Sequence, residues 1–245
     1  MKRTLTILIA AVLMQFAMSA QDLKVISYNI RSSESKDGTN SWMYRYAASA
    51  EMIKDQKADV IGLQEARADQ VRFIEENFKE YKSVSEYTTI FCNKKTVSIQ
   101  KSGTLDSATW ALIKDKKTGN RFYVLNVDME NTAVADRKDA LVKMLDGIAA
   151  MNTDSLPVIM TGGFHMKPAD PSLAVVEAKM SNARKTASKT DNTGTYNIWG
   201  KNSDIIDHIF YSGFSACAEY QTVTKRYAER KFVSDHFPLM VLLSF

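Results

Sequence analysis

Asp235 and His236 stand side by side, just ahead of an apolar run from Leu239 to Leu243 that reads as a buried strand. A carboxylate next to an imidazole can move protons or grip an anion, and a loop feeding a rigid strand is a common place for such chemistry. Other polar groups recur where apolar runs end. They are Asn29, Glu65, Asn126 and Asp128, His165 after Gly162-Gly163, and Asp207 with His208. If those strand ends converge, the groups line one polar pocket. The alternative is strand ends that simply meet water.

Positioning these groups takes a regular scaffold. Leu23 to Ile30 alternates like a strand, and Asp59 to Glu65 is a short apolar strand ending on a carboxylate. Trp42, Tyr46, Ala50 and Ile53 recur at helical spacing after a cap at Asn40 or Ser41. Val71, Ile74 and Phe78 mark a second helix, and Leu141, Met144, Leu145 and Ile148 a third. Thr88 to Asn93 and Thr96 to Gln100 are expected to pair across Lys94-Lys95. Thr109 to Lys114 and Arg121 to Asp128 form a hairpin pattern across Lys117 to Asn120. Pro157 to Thr161 reads as a strand broken by Gly162-Gly163, and Asp170 caps a helix with Pro171 at its first position. Further strands are expected near Ile205 to Tyr211 and Phe237 to Leu243. Helices spread among more numerous strands predict a layered α/β protein. His208, next to Asp207 on a strand, should face the other way and pack.

Residues 1–20 have the form of a secretory signal: Lys2 and Arg3, then an apolar stretch from Leu5 to Phe16, then small residues ending at Ala20. That apolar stretch is too short for a membrane span. The expectation is an exported protein, periplasmic or secreted, with one domain over residues 21–245. Without Lys2 and Arg3 the formal charge drops from +4 to +2, too weak to indicate nucleic-acid binding. Cys92 and Cys217 could pair after export or stay as two buried thiols. Lys114, Lys116 and Lys117 read as a solvated tip. The basic run Lys225, Arg226, Arg230 and Lys231 reads as a solvated loop.

Five blocks carry a resemblance that runs over nearly all of the chain after residue 20. They are Val25 to Arg31, Asp59 to Glu65, Ala108 to Ala111, Ile206 to Phe210, and Ser234 to Pro238. In this order they resemble the endonuclease/exonuclease/phosphatase family, with its deoxyribonuclease I-like fold. The resemblance implies a four-layer αββα sandwich with two packed mixed β-sheets. It also implies hydrolysis of phosphodiesters or phosphomonoesters with Mg²⁺ or Mn²⁺, hard cations that take oxygen ligands. By resemblance Glu65 is the metal carboxylate with Asn29 beside it, and Asp235 joins directly or through water. His236 contacts the scissile phosphate, and Asp207 orients it.

The other half of the family pattern is altered. Where the family has Asn-Thr-His-Leu-Asp, this chain has Asn126-Val127-Asp128-Met129-Glu130. Where the family has Thr-Gly-Asp-Phe-Asn, it has Thr161-Gly162-Gly163-Phe164-His165. The family's water-activating Asp is thus Gly163, its phosphate-donating Asn is His165, and its assisting His is Asp128. Asp106 stands in place of a frequent Arg, and Glu86 falls near an acidic family position. General acid–base groups are each worth about 10²–10⁴-fold, so these losses predict little family activity. One reading is a binding protein holding a phosphorylated small molecule, a sugar or another protein. A second is a rewired phosphoesterase in which Asp128 or His165 handles water or metal, a site friendlier to Mn²⁺ or Zn²⁺. A scaffold role is the third.

Overall fold

In the computed structural model, residues 22–85 and 88–245 are described. The signal-like stretch 1–20 and Glu86 lie outside the described residues. In chain order the main elements are β1 (Leu23–Asn29), α1 (Trp42–Gln56), β2 (Val60–Gln64), α2 (Ala68–Asn77), β3 (Tyr81–Ser85), β4 (Thr89–Asn93), β5 (Val97–Leu105) and β6 (Ala108–Asp115). They continue with β7 (Arg121–Asp128), α3 (Arg137–Met151), β8 (Val158–Gly163), β9 (Ser181–Asn182), β10 (Asp207–Ser212), β11 (Ala216–Thr222) and β12 (Leu239–Ser244).

The strands form two six-stranded sheets, ordered β11-β12-β1-β2-β4-β3 and β5-β6-β7-β8-β10-β9. Each is mixed: β1 and β2 run parallel in the first, β7 and β8 in the second, and the remaining neighbours are antiparallel. Strand alternation sorts the side chains into separate cores. Val25, Val60 and Ile90 face Val124, Ile159 and Ile209 between the sheets. Ile26, Tyr28 and Leu63 turn outward to Met52 and Ile53 of α1 and Ile74 of α2. Leu125, Val127 and Met160 turn outward to Leu141, Met144 and Ile148 of α3. Helix, sheet, sheet and helix make four layers, as the resemblance implies.

Three expectations need correction. β4 and β5 do not pair; β4 lies in the first sheet and β5 in the second, so Lys94-Lys95 begins a crossing between sheets. Sequence alternation shows that both runs are strands but not which partner each takes. β8 is not broken at its glycines but runs through Gly163, whose neighbour across the ladder is Asp207. The buried face of α1 is offset from the Trp42-Tyr46-Ala50-Ile53 stripe, of which Ile53 is buried and Trp42 and Ala50 pack half-buried against the same core. That face carries Arg45, Ala48, Ser49, Met52 and Ile53, while Tyr46 is exposed.

Arg45 has no exposed surface. Its guanidinium donates to the carbonyls of Asn40, Ile30, Val233 and Arg31 at 2.6–3.2 Å. It also lies 5.6 Å from the Trp42 ring and 5.5 Å from the Trp199 ring. Five donors on one rigid fork suit such a task. The result ties the loop after β1 to the loop before β12.

Cys92 and Cys217 are free thiols in the core between the sheets, pushed up to about 12 and about 11 by burial. Among the described residues no helix is long and apolar enough to cross a membrane. The basic run is solvated, with Lys225, Arg226 and Lys231 exposed, and it is tied to the body where Lys225 pairs with Asp55 at 2.8 Å and Arg230 reaches Thr39 and Asn40.

Candidate functional site

Both parallel strand pairs end on the same side of the sandwich, and their ends hold the polar groups. Three of the corner residues, Arg31, Glu65 and His165, have left-handed backbones with φ of 59°, 58° and 54°. Such conformations are costly for residues with side chains and concentrate at functional sites. Here they turn the chain sharply at the ends of β1, β2 and β8.

Asn29 donates from Nδ2 to Glu65 Oε1 at 2.8 Å, and its Oδ1 accepts from the Arg31 backbone at 3.0 Å. The Ser32 N–H reaches Glu65 Oε2 at 3.3 Å. Arg31 then gathers three carboxylates. Its Nε is 3.1 Å from Asp37 and 3.4 Å from Asp235, and its Nη1 is 3.8 Å from Glu65. The hydrogen bond to Asp37 raises the already high pKa of Arg31, so the guanidinium is a fixed cation.

Across the pocket, His236 Nδ1 lies 2.8 Å from Asp207 Oδ2, with both side chains almost fully buried. The Thr195 hydroxyl donates to the same Asp207 oxygen at 2.5 Å and accepts from the backbone N–H groups of Ile206 and Asp207. Burial alone would lower the His236 pKa, but the Asp207 charge and hydrogen bond raise it to about 9. Burial likewise opposes ionisation of Asp207, yet the His236 imidazolium carries its pKa below the usual range. At neutral pH this is an imidazolium–carboxylate pair. Tyr196 packs its ring 4.6 Å from that of His236.

Asp128 ends β7 and accepts from the backbone N–H groups of Glu65 and Glu130. Burial, then the nearby Glu65 charge, raises its pKa. Glu130 and Asp235 are also raised, burial first in each case. His165 Nε2 lies 4.0 Å from Asp128 Oδ1, too long for a hydrogen bond. Burial lowers the His165 pKa, so this imidazole is neutral at pH 7. Its ring centroid is 6.2 Å from that of His236. A cavity of about 190 Å³ opens among Glu65, Asp128 and Glu130, with Ser32 and Arg67 also lining it. A larger hollow of about 550 Å³ beside Lys179 and Gly213 contains none of these groups.

All seven anticipated site residues, Asn29, Glu65, Asp128, His165, Asp207, Asp235 and His236, therefore gather at one end of the sandwich. Asn126 does not join them. It is fully buried beneath, where its amide bonds the carbonyls of Leu63 and Thr89 and its Oδ1 accepts from Gln64 and Thr161. It stitches the sheets together where Gly62 permits close approach, since a Cβ there would stand 2.5 Å from Thr161 Oγ1. His208 faces away, bonding Met166 O at 2.8 Å and packing on Phe164. Sequence reasoning missed Arg31, Asp37, Thr195 and Tyr196. Arg31 is the last residue of the Val25 to Arg31 block, the one available hint. Thr195 and Tyr196 come from an irregular loop with no periodicity.

The donors suit a hard divalent cation in type. The Glu65 carboxylate stands beside the Asn29 amide, whose Nδ2 donates to it, and burial, then neighbouring negative charge, raises the carboxyl groups around them, a strain that a cation would relieve. Among the described residues no three His, Cys, Asp or Glu side chains form a ready metal cluster, so any such seat is sparse.

The family model for the endonuclease/exonuclease/phosphatase family matches residues 26–236. Among solved structures, a family protein from Bacteroides thetaiotaomicron is similar at 24% identity and TM-score 0.84, over 91% of this chain and 98% of that one. A mannosyl-6-phosphatase from the same organism is similar at 24% identity and TM-score 0.84, over 91% and 100%. TDP2 of D. rerio, solved with a single-stranded DNA product, is similar at 16% identity and TM-score 0.74, over 91% and 99%. No curated protein matches the chain.

Proposed function

The chain belongs to the endonuclease/exonuclease/phosphatase family, and from that premise we propose that it is an exported phosphoester-binding protein whose hydrolysis is slow compared with a complete family site. The observation that carries this reading is the buried His236–Asp207 pair at 2.8 Å, an imidazolium held ready for a phosphoryl oxygen. Opposite it, Gly163 offers no carboxylate to activate water. Export rests on the signal-like residues 1–20.

Glu65 and Asn29 would hold Mg²⁺ or Mn²⁺, which when bound supplies charge neutralisation at the phosphoryl group. Asp235, bridged to Arg31, keeps the guanidinium beside the pocket. The ligand is taken to be a phosphorylated small molecule, and the mannosyl-6-phosphatase relative makes a sugar phosphate a sensible first trial. The modest charge gives no support for nucleic acid.

A second reading, a fully active hydrolase rewired through Asp128 and His165, is favoured by one observation: His165 Nε2 is buried, neutral and without a hydrogen-bond partner among the described residues. Turnover of a chromogenic phosphodiester and a phosphomonoester with Mg²⁺ or Mn²⁺ separates the two. Wild type should be slow, Glu65→Ala slower still, and the triple variant Gly163→Asp, His165→Asn, Asp128→His faster. Fast wild-type turnover lost in Glu65→Ala would establish the rewired enzyme instead.

A further inference from the structure

Two neighbouring glycines close β8, and the fold demands only one of them. Gly162 has φ +156°, and a Cβ there would meet the Val127 carbonyl oxygen at 2.1 Å. No side chain fits. At Gly163 a Cβ would stand 3.5 Å from both Asp207 Oδ1 and His165 Nε2, which is ordinary contact. Glycine at 163 is therefore not required by the backbone. What it leaves is a notch.

Both atoms facing the notch are buried and unpaired. Asp207 binds His236 and Thr195 through Oδ2, while its Oδ1 has no partner among the described residues; nor does His165 Nε2. Leaving a buried polar group unsatisfied is costly, so two such atoms aimed at one small space point to an occupant. That occupant must donate to a carboxylate, which when ionised only accepts. A water molecule donates twice. One hydrogen goes to Asp207 Oδ1 and the other to His165 Nε2, when Nδ1 carries the imidazole proton. Its lone pairs then remain free.

We propose that the Gly163 notch seats the attacking water, with Asp207 orienting it and His165 accepting its proton. This rests on the phosphoester reading above and gives its slow hydrolysis a route. The water oxygen bonds to phosphorus with a lone pair, and its proton passes to His165 Nε2. The ester P–O bond breaks, its electron pair staying on the leaving oxygen, which takes a proton from solvent. Solvent then removes the proton from His165. The charged groups around His165 are Asp207 on β10, Asp128 on β7, Glu65 after β2, Arg137 on α3 and His236 before β12. Burial outweighs them and keeps His165 able to accept.

The test is steady-state hydrolysis of bis(4-nitrophenyl) phosphate with Mn²⁺, beside thermal stabilisation by inorganic phosphate. His165→Ala should lower kcat about 100-fold with KM unchanged. Gly163→Ala, which fills the notch without a clash, should lower kcat alike and keep the phosphate stabilisation. Adding Gly163→Asp to His165→Ala should recover kcat, because a carboxylate then enters the notch. Turnover indifferent to His165→Ala and Gly163→Ala overturns the notch. Phosphate stabilisation with no turnover overturns it too and leaves the binding reading standing. Absence of both defeats the phosphoester reading itself.

Discussion

His236 Nδ1 and Asp207 Oδ2 lie 2.8 Å apart in a nearly solvent-free setting, and the pair makes stability depend on pH. His236 is protonated up to about pH 9 in the folded protein and only to about its ordinary 6.5 when unfolded. A raised histidine contributes stability fully below 6.5, and that contribution fades as pH climbs through about 9. Asp207, lowered in the fold, acts in the opposite sense at acid pH. Asp207→Asn should therefore unfold more easily than wild type. The gap between them should narrow by about 3 kcal/mol between pH 6.5 and 9.5. Chemical denaturation across that range measures it. A gap that does not change with pH would mean the pair is not ionised.

Arg45 is a second pressure point. Replacing it with Met keeps the stem but leaves the carbonyls of Ile30, Arg31, Asn40 and Val233 without their donor. Loss of a buried, fully bonded charge should cost about 3–5 kcal/mol. Arg45→Lys should recover little, since one ammonium cannot fork to four carbonyls. A lower urea midpoint, with weaker stabilisation by phosphate, is the expected result. An unchanged midpoint would show that the two loops stand without the staple.

The close approaches at Gly62 and Gly162 predict a ranking. Gly162→Ala drives a Cβ into a backbone carbonyl, which cannot move aside cheaply. Gly62→Ala meets the side-chain oxygens of Thr161 and Asn126, which can shift, at about 1–3 kcal/mol. Gly163→Ala should cost least. Melting temperatures in the order Gly163→Ala, Gly62→Ala, Gly162→Ala, highest first, would bear this out; Gly163→Ala falling below Gly62→Ala would not.

Much of this molecule was legible because strands advertise themselves by period and their ends by polar punctuation. The alternation along Leu23 to Ile30 and Arg121 to Asp128 already puts successive side chains on opposite faces. The motif blocks then named the residues that gather at one end. What stayed hidden involved partners distant in sequence. Arg45 looks like the polar side of a helix until Val233, 188 residues on, supplies a carbonyl for it. Thr195 and Tyr196 sit in a loop without pattern, and only the fold brings them to Asp207 and His236. Asn126 read as a pocket residue because a strand end and a tie between sheets look alike in one dimension.

The last prediction concerns the cation. Glu65, Asp128, Glu130, Asp207 and Asp235 crowd around Arg31 and His236, and burial, then neighbouring negative charge, makes Asp128, Glu130 and Asp235 hold their protons to higher pH. A divalent ion entering there must displace protons, so Mn²⁺ affinity should rise as pH increases from the ordinary carboxylate range to neutrality. Glu65 is the carboxylate that already shares its oxygen with Asn29 at the mouth of β1 and β2. Glu65→Ala should therefore weaken Mn²⁺ binding tenfold or more, about 1.4 kcal/mol. Asp128→Asn should weaken it less, because Asp128 oxygens are bonded to the Glu65 and Glu130 N–H groups. Calorimetric titration of the two variants and wild type at both ends of that pH range decides the matter. Wild-type affinity in Glu65→Ala, or affinity that falls with rising pH, would move the cation away from these residues.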